Sequence, residues 1–168
     1  KDFGAATASN GAVGLYHIDN LTPEAKELGK DLITKEFEEF RAQMYAGKSK
    51  EERSKLGQFF TPPDISIKMI ERFNCDSLAG QTILDPACGS GNLLAACLIA
   101  GADPDKVFGN DYDQVMVTEC RNRLQRISHR VKDWQIHRGD ATDPRSLEFG
   151  PDYKYKEYEQ VDLFSSFF

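Results

Sequence analysis

The chain has 168 residues, 40% hydrophobic and 29% charged, with a net charge of −6 and an isoelectric point near 5.1. That is one domain with enough apolar residues to bury a core, and no apolar run or signal-peptide pattern points to a membrane, so a cytoplasmic protein is expected. Cys75, Cys88, Cys97 and Cys120 form no C-x-x-C pair and have no histidine at ligand spacing, which argues against a metal site or a disulfide framework and for buried or semi-buried free thiols. The acidic balance is awkward for a nucleic-acid enzyme, because phosphate contacts call for a basic surface.

Residues 1–15, rich in Ala, Gly, Ser and Thr without periodicity, read as a flexible arm, and residues 16–56 as an N-terminal helix followed by a basic connector. Opening on Lys1 rather than Met suggests a trimmed piece of a longer protein. Asn20 to Ala46 reads as one long helix, with Thr22 as N-cap, Pro23 in the first turn and Gly47 closing it. Leu28, Leu32, Phe37, Phe40 and Met44 recur at helical spacing, and Glu24, Glu27, Asp31, Glu36, Glu38 and Glu39 form an acidic remainder read as a solvated face. Lys48, Lys50, Arg53 and Lys55 mark the connector.

Gly57-Gln-Phe-Phe-Thr-Pro62 combines a turn glycine, two aromatics able to wall a pocket and the Thr61 hydroxyl. Pro63 and Asp64 then start a helix with Ile65, Met69, Ile70 and Phe73 on one side and Ile67 near its edge. Thr82-Ile-Leu84 is a short buried-strand signal, ended by Asp85 and Pro86. Gly89 and Gly91 supply a tight turn that leaves room for a ligand against the main chain, and Asn92 to Ile99 is an apolar, buried helix that stops at Gly101.

This strand, turn and helix start is where open α/β sheets bind ligands. A dinucleotide fingerprint wants a third glycine where Leu94 stands, and the strand ends on a carboxylate, which suits a ligand with an ammonium group such as S-adenosylmethionine. Lys106 to Asp111 reads as a second strand ending on Asp111, able to accept from ribose hydroxyls, with Asp113 as N-cap of the next helix. That helix, Gln114 to Val131, carries Val115, Cys120, Leu124 and Ile127 on its apolar side. Arg121, Arg123, Arg126, Arg130 and Lys132 are read as a solvated cationic face. Trp134 to Ala141 is a third strand and its turn, with His137 in a structural role. Thr142 to Tyr158 follows as a loop with a short helical turn at Pro144 to Leu147, and Tyr158 to Phe164 as a fourth strand.

Asp85-Pro-Ala-Cys-Gly-Ser-Gly91 resembles motif I of amino-group DNA methyltransferases, specifically the adenine-N6 kind of type I restriction–modification subunits. The Phe60-Thr61-Pro62 block and Gly139-Asp140-Ala141 are similar to two further cofactor blocks of that family, in the same order. The resemblance covers about residues 57 to 165. It implies an α/β, doubly wound Rossmann-like sheet, incomplete here, occupying residues 57–168 behind the acidic helix. It also implies S-adenosylmethionine as cofactor, no metal, and a bacterial or phage cytoplasmic setting. The implied cofactor shell is Phe60, Thr61, Pro62, Asp85, Pro86, Ala87, Gly89, Gly91, Asn92, Asp111, Tyr112, Asp140 and Ala141.

The family continues its fourth strand into Asn-Pro-Pro-aromatic, whose acceptors hold the target amine while the aromatic stacks on a flipped base. Here Ser165, Ser166, Phe167 and Phe168 stand at that place, so the catalytic residues are unknown. The expected function is the cofactor-binding part of an adenine-N6 DNA methyltransferase, with DNA held through a domain or subunit outside this chain. The alternatives are a non-catalytic binding or interaction module, and a methyltransferase acting on RNA or a protein amide. An open sheet edge also predicts a protein partner or self-association.

Overall fold

The computed structural model describes residues 23–55, 60–73 and 78–153. Helix α1 spans Pro23–Tyr45, α2 Lys50–Lys55 and α3 Pro63–Glu71. Strand β1 (Ile83–Asp85), helix α4 (Asn92–Ile99), strand β2 (Val107–Asp111), helix α5 (Gln114–Ile127) and strand β3 (Ile136–Arg138) follow as two β-α-β units. All three strands are parallel, in the order β1-β2-β3, with Asp85 opposite Gly109 and Asp111 opposite Arg138. This is an open, mixed α/β arrangement, an incomplete Rossmann-like sheet, as the residues imply. The arm, the Thr22 cap, Gly57 to Phe59 and the fourth strand with Ser165 to Phe168 lie outside the described residues.

The core forms where α4 and α5 pack on β2 and on each other. Leu94, Ala95, Val107, Val117, Cys120, Leu124 and Ile136 lose nearly all contact with solvent there. Gly109 is needed at the centre of this packing: a Cβ on it would lie 2.9 Å from Leu94 Cδ1 and 3.1 Å from Cys88 Sγ. Side chains alternate along a strand, so Leu84, Phe108 and His137 fall on the opposite face, and because Leu84 and Thr82 are exposed, β1 is not the buried strand its residues suggest. There Phe108 packs on Trp134 and Phe149, and His137 stacks on Phe149 with ring centroids 4.4 Å apart and donates from Nε2 to the Ser146 carbonyl. His137 is structural, as its place in a strand suggests. The short helical turn is present at Pro144–Leu147, capped by the Asp143 carboxylate.

Three face assignments change in the tertiary structure. On α1 the buried apolar side chains are Ile33, Phe37 and Phe40, while Leu28 is exposed, because α1 packs on α3 and α4 through the Ile33 line. On α3 the inward residues are Pro63 and Ser66, with Ile67 and Ile70 packed on the core, and Ile65, Met69 and Phe73 face solvent. On α5 Val115 is exposed, and Met116 and Val117 take its place inside.

The cationic face of α5 is also corrected. Arg123 is fully buried, Arg121 donates from Nη2 to the Ile136 carbonyl at 2.6 Å, and Arg130 pairs with Asp103 and Asp105, while Arg126 pairs at 2.8 Å with Glu36, which is thereby withdrawn from the solvated acidic face expected of α1. Guanidinium groups here connect elements because each can donate several bonds in one plane, whereas Lys132 stays exposed. Cys88, Cys97 and Cys120 are buried free thiols, and burial, with Asp85 nearby, pushes Cys97 up to about 11. Among the described residues no helix is long and apolar enough to cross a membrane.

Candidate cofactor site

The carboxyl ends of β1, β2 and β3 deliver Asp85, Asp111 and, two residues beyond β3, Asp140 to one rim of the sheet. Parallel pairing makes this inevitable once each strand ends on or near an acid. The rim is tied together by Asn110, which is fully buried. Its Nδ2 donates to the Pro86 carbonyl at 3.1 Å and the Gly139 carbonyl at 3.0 Å, and the Asn110 main-chain carbonyl accepts from the Cys88 amide at 2.8 Å. One side chain thus holds the turns after β1 and β3 against β2.

Between the carboxylates lies the turn Cys88 to Gly91. Gly89 has φ +52° and Gly91 φ +82°, both in the left-handed region that favours glycine. Their surroundings differ. A Cβ on Gly89 would meet nothing within 4 Å, so its Cα faces open space, whereas one on Gly91 would sit 2.6 Å from Cys120 Sγ. Gly89 leaves one side of the turn open, and Gly91 lets α4 pack closely on α5.

Asp111 holds the turn in place, its Oδ2 accepting from the Gly89 amide at 2.8 Å and its Oδ1 from the Asp113 amide at 2.9 Å. Asp85 accepts from the Ala87 amide at 3.1 Å. Burial raises its pKa above the ordinary aspartate value; the Ala87 bond opposes that rise and Asp111 adds to it. Asp140 Oδ1 accepts from the Thr142 amide and hydroxyl, which lower its pKa. The Asp113 carboxylate accepts from the Val115 amide at 2.8 Å, the N-cap role expected of it.

The remaining predicted residues divide. Thr61 and Pro62 are exposed, with Pro62 capping α3, and the Thr61 carbonyl accepts from Asn92 Nδ2 at 2.7 Å, which joins this segment to the start of α4. Pro86 and Ala87 are exposed on the turn beside Asp85. Tyr112 is 63% exposed, with the Arg138 guanidinium 5.3 Å above its ring. Ala141 is exposed beside Asp140. The Phe60 ring packs against Phe37, Phe40 and Tyr45 of α1. Asn110 and Arg123 were not among the expected site residues; a polar Asn directly after Val107-Phe-Gly, still within the strand, was the readable signal for the first. The signal for the second was a lone arginine at the buried helical spacing of Cys120, Leu124 and Ile127.

A family model described as N-6 DNA methylase matches residues 29–142. The chain is 32% identical over 116 residues, 68% of its length and 26% of the relative's, to the type II methyltransferase M.VspI of Vibrio sp. (strain 343). It is 36% identical over 89 residues, 52% of its length and 25% of the relative's, to the tRNA (guanine(10)-N2)-dimethyltransferase of Methanothermobacter thermautotrophicus. The chain therefore spans about a quarter of the length of these curated relatives. No solved structure matches it. With a family match over most of its length, covering α4, the glycine turn and all three acidic strand ends, the chain belongs to the N-6 DNA methylase family.

Proposed function

We propose that this chain is the S-adenosylmethionine-binding part of an adenine-N6 DNA methyltransferase. The observation that carries the reading is the set of three carboxylates at adjacent parallel strand ends, around a turn that is open on the Gly89 Cα side. The donor set fits the group. A half-buried carboxylate with a raised pKa, Asp85, gains from a cationic neighbour, and carboxylates accept from ammonium, hydroxyl and amine donors while repelling phosphate. In this reading Asp85 holds the ammonium group, Asp111 the ribose hydroxyls and Asp140 the exocyclic amine of the cofactor's adenine. Thr61 and Pro62 line the methionine end, and Tyr112 flanks the adenine.

When bound, the cofactor supplies an electrophilic methyl group on a sulfonium. The chain's part is to fix that methyl relative to the rim, and Asn110 serves this by holding three strand ends in one frame. The acceptors for the target amine fall in the region of Ser165 to Phe168 or beyond, outside the described residues. With a net charge of −6, the basic surface for DNA phosphates is assigned to another domain or a partner. A second reading, transfer to an RNA base, is favoured by the tRNA-modifying relative.

Calorimetric titration of the protein with S-adenosylmethionine, S-adenosylhomocysteine and a nicotinamide dinucleotide tests the cofactor. Saturable binding of the first two alone is expected, and no binding would leave an interaction module. Transfer of labelled methyl from the full-length parent protein to duplex DNA rather than tRNA tests the substrate.

A further inference from the structure

The guanidinium of Arg123 is fully buried, yet its place on α5 lies among Cys120, Leu124 and Ile127, where an aliphatic side chain would fill the volume without a desolvation cost. Its contacts explain the choice. Nη1 donates to the Ser90 carbonyl at 3.0 Å, to Ser90 Oγ at 3.4 Å and to Asn92 Oδ1 at 2.6 Å, all in or next to the glycine turn. Nη2 donates to the Ile33 carbonyl of α1 at 3.1 Å, and Nε lies 3.5 Å from Glu36 Oε2. Most of these bonds go to neutral acceptors, and the closest of them is the amide oxygen of Asn92.

That bond sets a direction. An arginine only donates, so Asn92 must turn its oxygen toward Arg123 and its NH2 group the other way, where it meets the Thr61 carbonyl at 2.7 Å. Arg123 and the Thr61 carbonyl thus hold the amide from its two ends, and without Arg123 the Asn92 oxygen loses its donor and the bond to Thr61 loses its support from α5. We propose that Arg123 is a positioning residue: from inside α5 it orients Asn92, and through it ties the Thr61-Pro62 segment, the glycine turn and α1 into one frame for the cofactor. This rests on the reading that the turn holds S-adenosylmethionine. Arg123 itself lies behind the turn and acts only through Asn92 and the turn.

The test compares wild type, Arg123→Lys, Arg123→Met and Leu124→Ala, the last a neighbouring core truncation that lowers stability while removing no side-chain hydrogen bond to the turn. Two quantities are measured on each: affinity for S-adenosylhomocysteine by calorimetry, and hydrogen exchange of the Gly89 and Gly91 amides. These amides are bonded to Asp111 Oδ2 and the Cys88 carbonyl. Arg123→Met is expected to lose roughly 10–100-fold in affinity, the effect seen when partners that orient ligand-binding groups are removed at metal sites. It should also exchange both amides faster than Leu124→Ala at matched urea midpoint. Arg123→Lys recovers part of the affinity, since an ammonium reaches the turn or α1 but spans them poorly.

Unchanged affinity in Arg123→Met, or an equal loss in stability-matched Leu124→Ala, overturns the proposal. Should Arg123→Met fail to fold, Asn92→Asp carries the test. It keeps the acceptor for Arg123 and removes the donor to Thr61, so it should lose affinity, and retained affinity refutes the relay. If wild type binds no S-adenosylhomocysteine, the cofactor reading falls separately, and exchange at Gly89 and Gly91 then decides the relay alone: protection in Arg123→Met equal to Leu124→Ala refutes it.

Discussion

Replacing Gly91 by Ala puts a methyl group into two conflicts at once. The φ of +82° lies where an L-residue costs about 1–2 kcal/mol. The new Cβ would also stand 2.6 Å from Cys120 Sγ and 3.3 Å from the Cys120 Cα and Cβ, so α4 and α5 must separate, an overpacking cost of about 1–3 kcal/mol. The sum, about 2–5 kcal/mol, is a large part of the stability of a typical domain. Urea unfolding followed by circular dichroism measures it on Gly91→Ala, Cys120→Ala, the double variant and Gly89→Ala. Gly89 shares the left-handed conformation, at φ +52°, but a Cβ there meets nothing within 4 Å, so Gly89→Ala should lose only the conformational part, about 1–2 kcal/mol. In the Cys120→Ala background the Gly91→Ala cost should fall by about 1–2 kcal/mol, because Sγ is the nearest obstacle. Equal costs in both backgrounds, or a Gly89→Ala loss as large as that of Gly91→Ala, would refute the packing argument.

Three further outcomes follow from the rim and its supports. Asp85 has a raised pKa in the folded state, so its contribution to stability is greatest below the ordinary aspartate value and is lost as pH rises through the higher folded value. Asp85→Asn, which keeps an acceptor for the Ala87 amide, should therefore be more stable than wild type at pH 7, with the advantage gone in acid, while binding S-adenosylmethionine more weakly. Thermal melts across pH check the first part, and a wild-type advantage at neutral pH would contradict it. Asp111→Ala should weaken S-adenosylhomocysteine binding by roughly 1–3 kcal/mol through loss of a charged acceptor, and unchanged affinity in calorimetry would remove the ribose assignment. Glu36→Ala leaves the buried Arg123 without its nearest carboxylate and should cost about 3 kcal/mol in urea unfolding. A loss under about 1 kcal/mol, the worth of an exposed pair, would show that Arg123 is satisfied by its neutral partners.

The glycine turn and its flanking elements were legible because their signals are local. Thr82 to Ile99 carries a β-branched run, a proline, two glycines and an apolar stretch in sequence, and the structure places β1, the turn and α4 there. Asp113 could be read as an N-cap for the same reason, since its bond reaches only two residues ahead. The face of α3 was not legible. Ile65, Met69 and Phe73 share a helical stripe, yet the partners on α1 and α4 take the adjacent stripe of Ser66, Ile67 and Ile70. Periodicity identifies an apolar side; it does not say which part of it the neighbours cover.

By itself the sequence determined the β-turn-α order, the acidic strand ends and the two left-handed glycines, because each depends on backbone preferences over a few residues. Only the tertiary structure decided what the arginines of α5 do. Arg123 meets Ile33 and Asn92, and Arg126 meets Glu36, across 90, 31 and 90 residues of chain. An arginine on a helix has the same local preference whether its head lies in water or in the core. Its fate was set by which carbonyls and carboxylates the fold brought within reach, and that depends on the packing of α1, α4 and α5 together.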